Sequence, residues 1–231
     1  MQQQQQQQQQ QRSQRYARRR RGWLGETASD AGDPSAESIG IPLTQPEESR
    51  RGRRRGRPHF DERIAATREL IEYTPEDEAR IEATSHLLQP HIGAVTGQIY
   101  RELLSHPETS APFRDAAGAL DLEYVAVRQQ AFEEWLYAVV ADPLDAATAE
   151  YLGAVGLGYV RRERPDTRAK ARYLLATASR VQVLFVAILA EALLDPRELA
   201  ASSAAWCKQL MVHLDVLLAV YGSTEGSAHW Y

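Results

Sequence analysis

The sequence predicts an all-α fold, and three observations support that class. From about residue 58 onward the apolar residues recur every three or four positions, as on one face of a helix. Proline-led helix starts divide this part of the chain, and no strand-like alternation or Asn-Gly hairpin turn competes with them. The predicted helices are near residues 59–72, 75–89, 91–105, 121–140, 144–161, 167–194 and 197–221.

Three of these helix starts are explicit in the sequence. Thr74 precedes Pro75 and two acids, and a threonine N-cap with proline at the first helical position is a strong start signal. Asp142 and Asp195 each precede a proline in the same way, and Glu198 stands where a capping box requires a glutamate. These signals predict helices that begin near residues 75, 144 and 197.

Three apolar stripes define the predicted core. Their members are Ile92, Val95, Ile99 and Leu103; Tyr124, Val127, Ala131 and Trp135; and Trp206, Leu210, Leu214, Leu217 and Tyr221. Residues 181–194 are apolar nearly all round. A helix of that kind is buried either in its own core or against a partner.

A polar tail precedes the domain. Residues 1–57 contain an unbroken glutamine run and almost no apolar periodicity, so they cannot bury enough apolar surface to offset the entropy of ordering. We therefore divide the chain into a disordered Gln/Arg-rich tail (1–57) and one folded domain (58–231). Up to residue 58 there are 12 arginines against 6 acids, and the whole chain carries −4, so a basic tail precedes an acidic domain. Without a groove-reading element we expect no specific nucleic-acid binding.

Several functional classes lack their sequence signals. There is no Gly-rich phosphate loop, zinc-ligand spacing or nucleophile elbow, so we do not expect an enzyme. The single Cys207 cannot form an internal disulfide. The longest apolar run, Val183 to Ala190, is shorter than the roughly 17–25 residues that cross a bilayer. The arginines at 18–21 are followed by no apolar signal core, so we expect a cytoplasmic protein without a membrane span.

Five segments of the domain occur in the order seen in one known family. They are Tyr73–Glu78, Ile99–Glu108 with its Ser-His-Pro turn, Phe132 with Trp135, Val155–Arg161, and Ala205–Tyr221. In order and spacing, over about 150 residues, the chain resembles the globin domain of protoglobins and globin-coupled sensors. The resemblance implies a globin-like helical sandwich with an extra leading helix. It also implies bound haem and a role in sensing or carrying oxygen or a related diatomic gas.

The resemblance places two residues on the distal side of the haem. Tyr100 matches the family's tyrosine on the second helix, and Phe132 matches its phenylalanine on the distal helix. A tyrosine hydroxyl can donate to bound oxygen, and a flat aromatic ring controls access. Arg128 precedes Phe132 by one turn on the same face, so it must reach solvent, a haem propionate or a bound anion.

On the proximal side the chain departs from the family pattern. The family carries a histidine three residues after a glycine, whereas here Tyr159 follows Gly156 at that distance. Tyrosine can ligate haem iron as a phenolate, and Arg162 on the same helical face can stabilise that charge or pair with a propionate. Alternatively, Arg162 belongs to a solvated helix end. The glycines Gly153 and Gly156 imply close approach of either a flat macrocycle or a neighbouring helix.

Two functions remain open from the sequence. The first is a haem protein that binds or senses a diatomic gas, with Tyr159 on the iron and these residues around the haem: Tyr100, Arg128, Phe132, Gly156 and Arg162. The second is a haem-free globin-like module that signals through protein contacts. In this family the last two helices pair two subunits, so we expect a homodimer that passes its signal to a separate partner. We expect His213 in the core or at that interface.

Overall fold

The computed structural model describes residues 60–145, 147–153 and 171–224, so the tail predicted over 1–57 lies outside the described residues. Helices dominate these ranges, and their bounds are α1 (Phe60–Leu70), α2 (Pro75–Leu88), α3 (Ile92–Ser105), α4 (Pro107–Ser110), α5 (Leu122–Ala141), α6 (Ala171–Ala192) and α7 (Pro196–Thr224). Residues 147–153 are also helical. Within the described ranges there is no strand, only an isolated bridge between Arg114 and Leu120, so the predicted all-α class is confirmed.

The starts of five helices agree with the sequence prediction to within a residue: α1, α2, α3, α5 and α7. The start predicted at residue 167 lies outside the described residues. Thr74 caps α2 reciprocally: its hydroxyl accepts the Asp77 N–H at 3.4 Å, and its own N–H donates to the Asp77 carboxylate at 2.9 Å. The start predicted from Asp142 is wrong, because Asp142 ends α5 instead. Asp145 caps the next helical segment, since its carboxylate accepts the Thr148 N–H at 2.8 Å.

The last helix is the centre of the core. α7 packs against α6, α2 and α1, and its stripe from Trp206 through Leu210 to Leu217 is buried as predicted. The Trp206 ring meets Phe185 of α6 edge-on at 5.9 Å, and its indole N–H donates to the Thr84 hydroxyl of α2 at 2.9 Å. A tryptophan that is fully buried and hydrogen-bonded ties these three helices together.

Not every member of the predicted stripes is in the core. Val127 of α5 is 42% exposed, because α5 turns that side chain away from its neighbours. The side chain of Tyr221 lies outside the described residues. The C-terminal part of α5, from Trp135 to Val140, is buried on all sides.

Two neighbouring polar side chains of α7, Lys208 and Gln209, have hydrogen-bond partners on other parts of the domain. Gln209 accepts a hydrogen bond from the Tyr73 hydroxyl at 2.9 Å and donates to the Val139 carbonyl at 3.2 Å. Burial raises the pKa of Tyr73, so the phenol keeps its proton and remains a donor. Beside it, Lys208 donates to the Asp77 carboxylate at 2.8 Å. These contacts fix α7 against α2 and α5.

The leading helix α1 contacts the rest of the domain at Asp215 of α7 and at Gly153. The Asp215 carboxylate of α7 accepts hydrogen bonds from Arg63 at 2.5 Å and from the Thr67 hydroxyl at 2.8 Å. Phe60 lies so close to Gly153 that a Cβ atom there would come within 2.3 Å of its ring. The close approach that the sequence predicts at Gly153 is therefore made by a neighbouring helix and not by a macrocycle.

Helix α6 is buried on one face. The core side of the helix carries Ala178, Val181, Phe185 and Leu189. On the other side Leu175 is 50% exposed and Val183 is 52% exposed. By length and composition Tyr173–Ala192 is apolar enough to cross a membrane, with 22% of its most apolar window buried. One such helix is weak evidence for a span, because helices of soluble domains pass the same test.

Candidate functional site

Three elements bring aromatic rings together in one cluster. Tyr100 of α3 packs edge-on against Phe113 at 5.8 Å and against Phe132 of α5 at 6.0 Å between ring centres. Tyr100 is only 5% exposed, so its phenol lies inside the domain. The structure therefore places the two distal residues predicted from the sequence, Tyr100 and Phe132, in direct contact.

Phe113 belongs to this cluster but was missed by the sequence reasoning. It ends the 3₁₀ turn Ala111–Phe113, and its ring lies 6.0 Å from that of Tyr124 on α5. Its signal in the sequence is a single aromatic residue after proline, in a loop rich in alanine. No helical periodicity covers that loop, so nothing there assigns the ring to a core.

Arg128 is buried beside the cluster. It is 8% exposed, and its guanidinium carbon lies 5.9 Å from the centre of the Tyr124 ring. An arginine over an aromatic face gains a favourable electrostatic contact with the ring. The predicted requirement that Arg128 find a partner is thus met in part by Tyr124, which the sequence reasoning did not consider.

Trp135 and His213 extend the cluster to the last helix. The Phe132 and Trp135 rings are 5.4 Å apart, and the Trp135 and His213 rings meet edge-on at 6.4 Å. His213 is fully buried, as predicted for a core histidine. Within the described part of the chain, Trp135 Nε1 and both ring nitrogens of His213 have no hydrogen-bond partner.

The protonation state of His213 follows from this burial. Removal from water lowers the pKa of His213 from 6.5 to about 3. The imidazole is therefore neutral at physiological pH, with one nitrogen lone pair that no described group uses. An uncharged imidazole is the form that binds metals.

An ion pair connects the Tyr100 helix with the apolar helix α6. Arg180 donates from Nε and Nη2 to the two oxygens of Glu102, at 2.9 and 2.8 Å. The hydrogen bond from Arg180 holds the pKa of Glu102 below its usual value, and a hydrogen bond from Gln98 adds to the effect. Both side chains of the pair are 40% exposed, so the contact orients α3 against α6 more than it stabilises the fold.

Three predicted proximal residues all lie outside the described residues: Gly156, Tyr159 and Arg162. In the ranges that are described, no group of three or more His, Cys, Asp or Glu side chains is arranged to hold a metal ion. The described site is therefore the aromatic cluster around Tyr100 and Phe132, which Trp135 and His213 extend to α7.

Comparison with known proteins bears on the fold and the family. The family model described as Protoglobin matches residues 60–226. No curated protein matches the chain. Among solved structures, the globin domain of a Geobacter sulfurreducens globin-coupled sensor aligns with a TM-score of 0.54 and 21% identity, covering 68% of this chain and 96% of that one. At that identity the likeness supports the fold alone, and it confirms the predicted globin-like architecture.

Proposed function

This chain belongs to the protoglobin family, and from that premise we propose that it binds haem and uses it to sense oxygen or a related diatomic gas. The observation that carries the proposal is the enclosed phenol of Tyr100, held edge-on between Phe113 and Phe132. A buried phenol among aromatic rings is the arrangement expected where a small, polar ligand is held in an apolar pocket.

The described residues fit a haem on its distal side. The cluster offers apolar rings for the macrocycle, and the unpaired nitrogens of Trp135 and His213 indicate a site whose polar groups are not satisfied by the protein alone. Haem would supply an iron that binds the gas. Tyr100 would donate a hydrogen bond to that gas, while Phe132 and Phe113 would exclude water.

On the other side we assign the iron ligand to Tyr159, with Gly156 leaving room and Arg162 stabilising the phenolate or a haem propionate. A hard, anionic oxygen ligand favours ferric iron. Such a haem would bind oxygen poorly and would suit nitric oxide or a change of redox state better. Arg128 is assigned to the rim of the pocket, where its guanidinium lies over Tyr124.

An absorbance spectrum tests this assignment. The protein is expressed with ample haem, beside Tyr159→Phe and, as a matched control, Tyr173→Phe on the half-buried start of α6. We expect one haem per chain and a Soret band that shifts or disappears only in Tyr159→Phe. A band unchanged in both variants would show that haem binds but that Tyr159 is not its ligand.

A second candidate function is a haem-free globin-like module. Two observations favour it: the family's proximal histidine is replaced by Tyr159, and α6 exposes an apolar face. Absence of any Soret band from a well-folded helical protein would establish this candidate and reject the first.

Under either function we propose that the protein is a cytoplasmic, non-enzymatic homodimer that signals to a separate partner. The exposed side chains Leu175 and Val183 on α6 would be covered by a second copy, as the family's pairing of its last two helices implies. Val183→Glu should convert a dimer to a monomer in light scattering, whereas Val127→Glu, at an exposed valine on α5, should not. A wild-type monomer at micromolar concentration would overturn the dimer.

A further inference from the structure

The turn of α3 that carries Tyr100 is held from two sides. Inside the domain, the Tyr100 ring packs edge-on against Phe113 and Phe132. Glu102 follows Tyr100 by two residues, so its side chain leaves the helix about 200° further round. There its carboxylate meets Arg180 of α6. Aromatic contacts and an ion pair therefore act on the same turn of α3 from opposite directions.

The ion pair has a defined geometry. Arg180 donates from Nε to Glu102 Oε2 at 2.9 Å and from Nη2 to Oε1 at 2.8 Å. Two parallel hydrogen bonds of this kind fix the relative orientation of the guanidinium and carboxylate planes. Gln98, one turn before Glu102 on the same face, donates to Oε1 at 3.1 Å. The carboxylate is thus bonded to its own helix and to α6 at once.

The pair contributes orientation more than stability. Both of its side chains are 40% exposed, and an ion pair that water and salt screen adds little to the free energy of unfolding. The hydrophobic contacts between helices are non-directional, whereas the bidentate pair between Glu102 and Arg180 has one preferred arrangement. It therefore defines the rotation of α3 about its own axis relative to α6.

We propose that Glu102 and Arg180 are positioning residues for the phenol of Tyr100. Rotation of α3 about its axis displaces the phenol hydroxyl, because this group lies at the far end of a long side chain. A hydrogen bond weakens steeply as its length and angle depart from the optimum. By fixing that rotation, the ion pair sets how well Tyr100 donates to a ligand and how tightly the ligand is held. The proposal rests on the haem-binding function proposed above, in which Tyr100 is the donor.

The test compares five forms of the full chain. They are wild type, Glu102→Gln, Arg180→Met, the charge-reversed double variant Glu102→Arg with Arg180→Glu, and Glu78→Gln. The last is the matched control, because it makes the same change in another partly exposed ion pair, which Glu78 forms with Arg68 of α1. Circular dichroism shows that each form is folded.

The first readout needs no haem. Nuclear Overhauser contacts in the apoprotein, with ¹³C-labelled aromatic rings, report the packing of the Tyr100 ring against Phe113 and Phe132. Loss of the Tyr100 signals in Tyr100→Phe assigns them. We expect these contacts to weaken in both single variants of the ion pair, to return in the double variant and to persist in the control. Contacts unchanged in both single variants would overturn the positioning role.

The second readout is fluoride binding to the ferric, haem-loaded protein, since fluoride is a small anion that accepts a hydrogen bond from Tyr100 if the phenol is in place. We expect its affinity to fall at least about fivefold in Glu102→Gln and in Arg180→Met. The free energy of unfolding should change no more than in Glu78→Gln. Equal fluoride affinity in all five forms would overturn the proposal and leave haem binding intact. No bound haem in any form would overturn the proposed function as well.

Discussion

Two neighbouring turns of the last helix each bury a polar side chain, but only one of these two side chains is hydrogen-bonded within the described residues. In the first, Gln209 is 1% exposed and bonds to both Tyr73 and the Val139 carbonyl. One turn later His213 is fully buried, and neither of its nitrogens has a partner among the described residues. The two residues share a helix and the same degree of burial, so the difference lies in what surrounds them.

The comparison separates two reasons for burying a polar group. Gln209 connects helices, and its hydrogen bonds to protein groups replace those it would make with water. His213 has no hydrogen bond within the described structure to replace those it would make with water, so its burial lowers the stability of the fold. Residues kept at such a cost are expected at functional sites, where a bound ligand completes the set of contacts.

The largest expected effect comes from removing the hydrogen bonds of Gln209. Gln209→Leu leaves the buried Tyr73 hydroxyl without its acceptor, and the free energy of unfolding should fall by about 2–3 kcal/mol. Chemical denaturation measures this loss. Adding Tyr73→Phe to the variant should recover most of it, because both partners are then apolar. If the double variant were as unstable as the single one, the hydroxyl would not be the source of the cost.

The second effect is a pH dependence that belongs to His213. Its pKa is about 3 in the folded protein and 6.5 when unfolded, so the unfolded state takes up a proton first as the pH falls. Stability is therefore complete above pH 6.5 and declines below it, by about 2 kcal/mol at pH 5. The carboxylates with lowered pKa, such as Asp77 and Glu102, titrate below this window.

Denaturation curves at pH 7.5 and pH 5 measure that decline in wild type and in His213→Leu. The variant should lose about 2 kcal/mol less than the wild type over this interval. An equal loss in both proteins would show that another group controls the pH dependence.

A smaller gain is expected from removing the unpaired imidazole at neutral pH. Leucine has a similar volume and no polar atoms, so apo His213→Leu should be more stable than wild type by about 1–2 kcal/mol. The melting temperature of the apoprotein measures this change. A destabilised variant would mean that the ring packs better than its unpaired nitrogens imply.

The smallest effect should come from removing the ion pair of Lys208, the partly exposed neighbour of Gln209. Burial alone raises the pKa of Asp77, but hydrogen bonds from Lys208 and Thr74 outweigh it, so that the pKa lies below its usual value. Lys208→Met should cost about 1 kcal/mol, because Lys208 remains 28% exposed and part of its pairing is screened. A loss as large as that of Gln209→Leu would contradict the expectation that the partly exposed Lys208 contributes less to stability than the buried Gln209.

The sequence predicted those parts of the fold that depend on local signals. The start at Thr74 follows from a capping pattern within four residues, and the burial of Trp206 follows from helical spacing. The connection after Asp142 was wrong because two aspartates, Asp142 and Asp145, compete to cap and only the packed structure chooses between them.

Contacts between distant residues were not predictable in the same way. The contact of Phe60 with Gly153 joins residues far apart in the chain, so the glycine indicated a close approach without identifying its partner. Similarly, Tyr100 and Phe132 were predicted from the family resemblance, but Phe113 and the unpaired state of His213 emerge only when the helices are assembled.

The most direct test of the proposed haem site is chemical denaturation of wild type and Tyr159→Phe, each with and without one equivalent of haem. A ligand that binds only the folded state stabilises it in proportion to its affinity. We predict that haem stabilises the wild type more than Tyr159→Phe, by at least about 1.4 kcal/mol for a tenfold difference in affinity. Equal stabilisation of both proteins by haem would contradict it.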